Sequence, residues 1–244
     1  IKNPDCGWFY RRDAETFRQI PGTPIAYWAS DGLFDAFEAG PLAKKVPVKK
    51  GLDTGDNDRF LRYWHEVDFS KLGIGYDSAR SFLQSGSKWA PHDKGGDFRK
   101  WYGNNDWIIN WGFDGMELKA SSANLRSPQF YFQRVITWSA LSSGRPGFRL
   151  SDQGALSNTA GSSMFPEEKD ISSVLAYMNS SVVLKALELL APTLNYSAGP
   201  VGSVPLMPDN IDRCPEISDM CVSISKGDWD SSETSWNFKR HPLV

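Results

Sequence analysis

The stretch Lys88–Trp111 reads KWAPHDKGGDFRKWYGNNDWIINW and decides which fold the sequence predicts. Its last six residues, Asp106–Trp111, are rich in aromatic and β-branched side chains, which favours a β-strand. His92–Gly96 contains two glycines, and glycine adopts positive φ angles without a Cβ clash, so a turn is predicted there. We therefore expect a mobile basic loop on a stiff aromatic strand, with Arg99 and Lys100 where cations reach phosphates or base edges. The alternative is that the tryptophans are core residues and the cations form a solvated rim.

The totals limit the class of protein. The length of 244 residues allows one large domain, or one domain with an appendage, and a hydrophobic content of 40% is ample for a core. The longest apolar-biased run, Val174–Ala191, is interrupted by polar residues, so no membrane span is expected. No signal peptide is visible and the chain opens on Ile1, so we expect an excised piece of a longer protein. Three cysteines cannot all pair, and free thiols are typical of a reducing cytosol, which predicts a cytoplasmic protein.

Charge is distributed unevenly along the chain. The formal net charge is −2, which argues against a wholesale polycation such as a histone-like protein. Between Lys88 and Arg149, however, there are nine cations and five anions, a surplus of four positive charges. A local surplus of this kind indicates a polyanionic partner.

Four further segments organise the chain. Gly51–Phe60 predicts a tight loop rich in side-chain-to-backbone hydrogen bonds, and its spacing matches neither G-x-x-x-x-G-K-[ST] nor G-x-G-x-x-G. Phe130–Trp138 is the most strand-like run, and the polar tract Ser151–Ser163 predicts an exposed loop. Apolar residues at i, i+3, i+4 and i+7 predict two short helices over Asp170–Ala191, the second capped by Ser180.

The sequence contains no convincing active site. Its three histidines, His65, His92 and His241, are far apart, and neither a G-x-S-x-G elbow nor an H-E-x-x-H helix occurs. His92, in the basic loop, is expected to contact a phosphate or a base rather than to act as a general base. Large aromatics, cations and glycine loops suit a groove-reading surface, so binding is the expected function.

Four stretches carry a resemblance to a known family: IPGTPIAYW at 20–28, GLDTGDNDRF at 51–60, KGGDFRKWYGN at 94–104 and DWDSSETSW at 228–236. They resemble the C-terminal part of the PglX family, the adenine-specific DNA methyltransferases of BREX phage-defence systems. The TGDN loop and the Tyr177–Ser181 helix junction also resemble the target-recognition domains of TaqI-like enzymes and Type I specificity subunits. The resemblance extends over nearly the whole chain.

The resemblance implies that catalysis and DNA recognition belong to separate domains. Full-length relatives join an S-adenosylmethionine-binding Rossmann-like domain to a target-recognition domain, and methylate adenine at N6 in a short non-palindromic site. This chain has no glycine-rich cofactor loop, and Asn3–Cys6 lacks the second proline and the aromatic of the base-holding Asn-Pro-Pro-Tyr motif. It therefore corresponds to the recognition part, inactive alone and without a cofactor, since S-adenosylmethionine belongs to the parent protein. The implied partners are double-stranded DNA, the catalytic domain of the same parent chain and other BREX components, with no membrane.

The sequence as a whole predicts an α+β fold: twisted, mainly antiparallel sheets with a packed helical pair, like a target-recognition domain, over residues 1–208. Residues 209–244 are predicted to be a linker or tail. The expected function is sequence-specific recognition of duplex DNA. The candidate DNA-binding residues are Thr54, Asn57, Arg59, Lys94, Arg99, Lys100, Tyr102, Arg145 and Arg149. For Thr54, Asn57 and Arg59, the alternative is a turn whose side chains bond to the loop itself. For the whole chain, the alternative functions are a protein-docking module of a defence complex and a carbohydrate-binding module.

Overall fold

The structure, a computed structural model, describes residue 7 and residues 10–206, 214–241 and 243. These residues form an α+β fold with two four-stranded, mostly antiparallel sheets and several helices, as predicted. Asn3–Cys6 and the predicted domain boundary at residue 208 lie outside the described residues.

The first sheet is antiparallel throughout. In spatial order its strands are β1 (Val48–Lys49), β8 (Ser163–Met164), β5 (Val135–Trp138) and β6 (Phe148–Ser151). The second sheet consists of β2 (Leu61–Tyr63), β4 (Trp107–Asn110), β3 (Trp89–Asp93) and β7 (Leu156–Ser157). Only β3 and β7 run parallel, with His92 opposite Leu156.

Eight α-helices surround the sheets in the described part of the chain: α1 (Asp31–Glu38), α2 (Asn57–Phe60), α3 (Ala79–Ser85), α4 (Gly112–Lys119), α5 (Ile171–Met178), α6 (Ser181–Leu190), α7 (Ala198–Gly202) and α8 (Cys214–Asp230). Each sheet has its own core. The first packs Trp138 and Phe148 against α5 and α6, and the second packs Phe60, Phe82 and Phe132 together. A third, smaller core joins α1 to α6.

The predicted helical pair is present as α5 and α6. Ser180 caps α6, since its hydroxyl accepts a hydrogen bond from the Val183 amide at 3.3 Å. The break between the helices has a second cause in Asn179, whose amide side chain bonds both main-chain groups of Phe148, at 3.2 and 2.9 Å. The buried junction is thereby tied to the first residue of β6.

Three local predictions differ from the structure. Within Phe130–Trp138 only the last four residues form a strand, because Phe132 has a φ of 67° and turns the chain into the second core. The tract Ser151–Ser163 was predicted to be exposed but holds β7 and much buried polar structure, since its side chains satisfy one another: Ser157 Oγ and Ser163 Oγ lie 2.7 Å apart. Within the predicted linker, Cys214–Asp230 forms a helix that packs on α5 and buries Trp229.

Within the described residues, no single helix is long and apolar enough to cross a membrane. Two consecutive helical segments, Glu168–Met178 and Ser181–Leu190, are together long and apolar enough, by length and composition only, and are bent by 72° relative to each other.

Candidate nucleic-acid interface

Three loops meet at one end of the sheets. Because β3 and β7 are parallel, the segments that follow them leave at the same edge: residues 94–104, here called the basic loop, and residues 158–161. The third loop, residues 139–147 after β5, is here called the serine turn. The Ala140 amide donates to the Ala160 carbonyl at 2.9 Å, and Ser139 Oγ donates to the Gly96 carbonyl at 2.7 Å. The three loops therefore form one continuous surface.

The Gly51–Phe60 loop joins the same end. Leu52 pairs with Asn158 in a parallel bridge, and the Thr159 amide donates to the Leu52 carbonyl at 2.9 Å. The loop bonds to itself as predicted: the Arg59 amide donates to Asp56 Oδ1 at 3.0 Å, and Thr54 Oγ1 donates to Asn57 Oδ1 at 2.7 Å.

Of the three candidates in this loop, two are exposed. Thr54 is buried, with 1% of its surface accessible, so its side chain is not placed for direct contact with DNA. Asn57 and Arg59 are exposed. The Arg59 guanidinium lies over the Phe60 ring at 4.8 Å and 3.9 Å from Glu117. The ion pair with Glu117 is at the surface, so the cation is able to exchange this partner for another anion.

The backbone of the basic loop is fixed in an unusual conformation. Five residues have φ between 62° and 129°, two of them without the freedom of glycine: Trp101 at 72° and Asn104 at 62°. Asn104 Nδ2 donates to the Asp97 carbonyl at 2.8 Å, and the Trp101 amide donates to the Phe148 carbonyl at 2.8 Å. The first bond closes the loop on itself and the second ties it to β6, while the mobility that the glycines indicate stays a prediction.

Two basic-loop candidates rest on aromatic rings. The Lys94 ammonium lies 3.8 Å from the centroid of the Trp107 ring, and burial lowers the pKa of Lys94, opposed by the charge of Asp58. The Arg99 guanidinium lies 4.8 Å from the Trp229 ring and 3.5 Å from Asp228, both in α8. The C-terminal helix thus orients Arg99 from outside the loop.

Lys100 and Arg145 lie near each other across the gap between the basic loop and the serine turn. Lys100 Nζ donates to the Asn179 carbonyl at 3.1 Å. Burial lowers the pKa of Lys100, and the positive charge of Arg145 lowers it further. Arg145 itself is exposed. Two neighbouring cations that repel each other are stabilised when an anion such as a phosphate lies between them.

Arg149 is buried rather than exposed, which corrects its assignment to a surface contact. It is 2% accessible, its Nε has no hydrogen-bond partner, and burial lowers its pKa to about 10, opposed by the charge of Asp93. His92 is buried as well, so it is not placed to meet a phosphate. Its Nδ1 lies 2.8 Å from the Leu156 carbonyl and its Nε2 lies 3.0 Å from Asn158 Nδ2, and burial lowers its pKa to about 3. Both side chains support the loops from within.

Tyr102 is also buried, and its side chain contacts Asp152 and Lys226 rather than solvent. Its hydroxyl donates to Asp152 Oδ2 at 3.2 Å, and Lys226 of α8 lies over its ring at 4.8 Å. Burial is the main cause that raises the pKa of Tyr102, and the negative charge of Asp152 adds to it. Tyr102 lines a cleft of about 470 Å³ between β3 and the segment that follows α8, together with Trp107 and Trp236.

Two exposed apolar side chains at this end were missed. Phe98, 59% exposed, projects from the basic loop, and Leu141, 74% exposed, projects from the serine turn. Phe98 has a signal in the sequence, because a large aromatic residue flanked by two charged residues in a glycine-containing loop favours an exposed position. Leu141 has no comparable signal.

The described residues contain no group of three or more metal-ligating side chains, and within them Cys214 and Cys221 are free thiols. Besides cations, hydroxyls and two apolar side chains, the surface carries carboxylates, among them the exposed Asp58 and Asp97.

Comparison with known proteins agrees with a methyltransferase relationship. No family model matches the chain. It is 35% identical over 255 residues to the adenine-specific methyltransferase PglX of Lacticaseibacillus casei (strain Zhang), covering 100% of the chain and 21% of that protein. It is 40% identical over 235 residues to the adenine-specific methyltransferase BrxX of Escherichia coli O9:H4 (strain HS), covering 93% of the chain and 18% of that protein. The chain spans about a fifth of the length of these curated relatives and corresponds to a region of them. Its place within their C-terminal part stays a prediction.

Proposed function

We propose that this chain is the target-recognition region of a site-specific adenine-N6 DNA methyltransferase of a BREX phage-defence system. It binds duplex DNA and positions the target adenine for a catalytic domain elsewhere in the parent chain, where S-adenosylmethionine binds. The observation that carries the proposal is the similarity, over nearly the whole chain, to two proteins named adenine-specific methyltransferases.

The arrangement of charge supports DNA as the ligand. Arg99 and Lys100 belong to the basic loop and Arg145 to the adjoining serine turn. Asn57 and Arg59 belong to the Gly51–Phe60 loop at the same end. Arginine and lysine contact phosphates, whereas arginine and asparagine also read base edges by paired hydrogen bonds. A surface with both kinds of side chain is suited to bind the backbone and read a sequence at once.

Methylome sequencing tests the proposal. Cells with and without the full-length parent protein are compared, and the expected result is an N6-methyladenine motif that disappears with the gene. A duplex with that motif is then titrated with the full-length protein at several salt concentrations. Specific, salt-dependent binding supports the proposal, and an unchanged methylome together with salt-independent binding contradicts it.

A protein-docking function is the second candidate, and one observation favours it. Helix α8 exposes Ile217, Met220 and Ile224, spaced three and four residues apart along one face. Affinity for a purified defence component that does not change across a salt titration would support this candidate.

The carbohydrate alternative stays a prediction, tested by quenching of tryptophan fluorescence with oligosaccharides. In the central stretch Trp111 is buried and Trp89, Trp101 and Trp107 are partly buried.

A further inference from the structure

Phe98 is an exposed aromatic side chain on a backbone that is otherwise held on every side. The residue before it, Asp97, is fixed through its carbonyl by Asn104, and the residue after it, Arg99, is fixed by Trp229. Gly147 lies so close that a Cβ there would stand 2.3 Å from the Arg99 carbonyl oxygen. The loop therefore presents the phenyl ring with little conformational entropy left to lose on binding.

The neighbourhood of Phe98 combines apolar surface with positive charge. Phe98 and Leu141 line the same small cleft of about 170 Å³, together with Ser142 and Ser143. Arg99 and Lys100 follow Phe98 directly in the chain. The cleft itself is lined by one carboxylate, that of Asp97, and the two cations lie next to it in the chain. An apolar pair with hydroxyls and two adjacent cations is matched by flat apolar rings between phosphates, and a base-pair stack has that chemistry.

We propose that Phe98, with Leu141 beside it, inserts between base pairs of the recognised duplex and unstacks them. This inference rests on the proposed DNA-recognition function and adds a positioning role to it. Phenylalanine and leucine are among the side chains that wedge between base steps and kink a duplex. Unstacking next to the target lowers the cost of extruding the adenine towards the catalytic domain. Arg99 and Lys100 contact the phosphates that flank the wedge.

A scan with 2-aminopurine tests the inference on the full-length protein. The duplex carries the motif found by methylome sequencing, with 2-aminopurine placed at each position in turn. The wild-type protein is expected to raise the fluorescence at one base step by several-fold. Phe98→Ala is expected to abolish that rise and to weaken specific binding about tenfold, because one aromatic contact with the bases is lost. Phe98→Leu keeps a wedge and is expected to retain most of the signal.

Phe69→Ala is the matched control, since Phe69 is 55% exposed, close to the 59% of Phe98, and lies outside the three loops. It is expected to behave as wild type, and all three variants are expected to melt at the wild-type temperature because the replaced rings are exposed. The wedge is overturned if Phe98→Ala retains the fluorescence rise, or if Phe69→Ala loses it equally. Failure of the wild-type protein to bind the duplex specifically contradicts the proposed function itself, and is thereby distinguished from a failure of the wedge.

Discussion

Asp93 gives a pH dependence that can be calculated from its surroundings. The carboxyl group is buried at the end of β3; Ser151 Oγ donates to Oδ1 at 2.9 Å, while Oδ2 has no partner. Burial raises the pKa of Asp93 from 3.8 to about 6, although Ser151 and the charge of Arg149 oppose the rise. Since each pH unit corresponds to about 1.4 kcal/mol, keeping this carboxylate ionised in the folded chain costs about 3 kcal/mol at neutral pH.

The sign of the effect follows from proton binding. Between about pH 4 and pH 6 the folded chain retains a proton on Asp93 that the unfolded chain has released. The contribution of Asp93 to the free energy of unfolding is therefore greatest below the unfolded pKa, and it falls as pH rises through the folded pKa. Acidic groups with lowered pKa values, such as Asp68, act in the opposite direction.

Asp93→Asn is the perturbation that isolates this contribution. Urea unfolding of the 244-residue chain is measured from pH 4 to pH 7.5 for wild type and variant. We expect the free energy of unfolding of the wild type, relative to that of the variant, to fall by about 2 kcal/mol between pH 4 and pH 7, because a smaller part of the change has already occurred by pH 4. Ser151→Ala serves as the second variant: it removes the hydrogen bond that favours the carboxylate, so the fall extends to a higher pH and becomes larger. Parallel pH profiles for wild type and Asp93→Asn would refute the reasoning.

Three further predictions concern the loop end. Arg145→Ala in the full-length protein should weaken binding to all duplexes alike, and the slope of log K for DNA binding against log salt concentration should become shallower by about one in a fluorescence anisotropy titration. Lys169→Ala, outside the three loops, should change neither the affinity nor the slope. Asn179→Ala should lower the free energy of unfolding by about 1–2 kcal/mol in urea, since the buried Phe148 amide loses the Asn179 oxygen while the Phe148 carbonyl keeps the Trp101 amide. Gly147→Ala should cost about 1–3 kcal/mol because its Cβ meets the basic loop, while Gly144→Ala, with nothing within 4 Å, should cost little by the same assay.

Much of the fold could be predicted because local patterns and burial agree. The run Asp106–Trp111 contains β4, and the helical periodicity around Ser180 gave both helices and the cap between them. The tract Ser151–Ser163 was misread, because serine and asparagine in sequence look like loop residues. Their partners, such as His92 for Asn158, are 66 residues away and cannot be recognised from local composition.

The candidate site was predicted by residue type but not by exposure. Lys94, Arg99 and Lys100 belong to one loop but meet different partners, Trp107, Trp229 and the Asn179 carbonyl, and whether they contact DNA stays a prediction. Arg149 shows the limit: it follows a Gly-Arg-Pro-Gly turn, which favours a surface position, but all four residues of β6 are buried and Arg149 lies near Asp93. Because both faces of β6 are covered by residues distant in sequence, its alternation does not reveal an exposed side.

The placement of charge at the loop end has a consequence for how the duplex is recognised. The chain is slightly acidic overall, and Asp58 and Asp228 lie beside Lys94 and Arg99. Long-range attraction to DNA is therefore weak, and Arg99 binds a phosphate by exchanging its contact with Asp228. Such exchange requires close contact, which a fixed loop with a projecting ring provides and a diffuse basic patch does not. Under the proposed function, the region would therefore contribute discrimination between sites more than non-specific affinity.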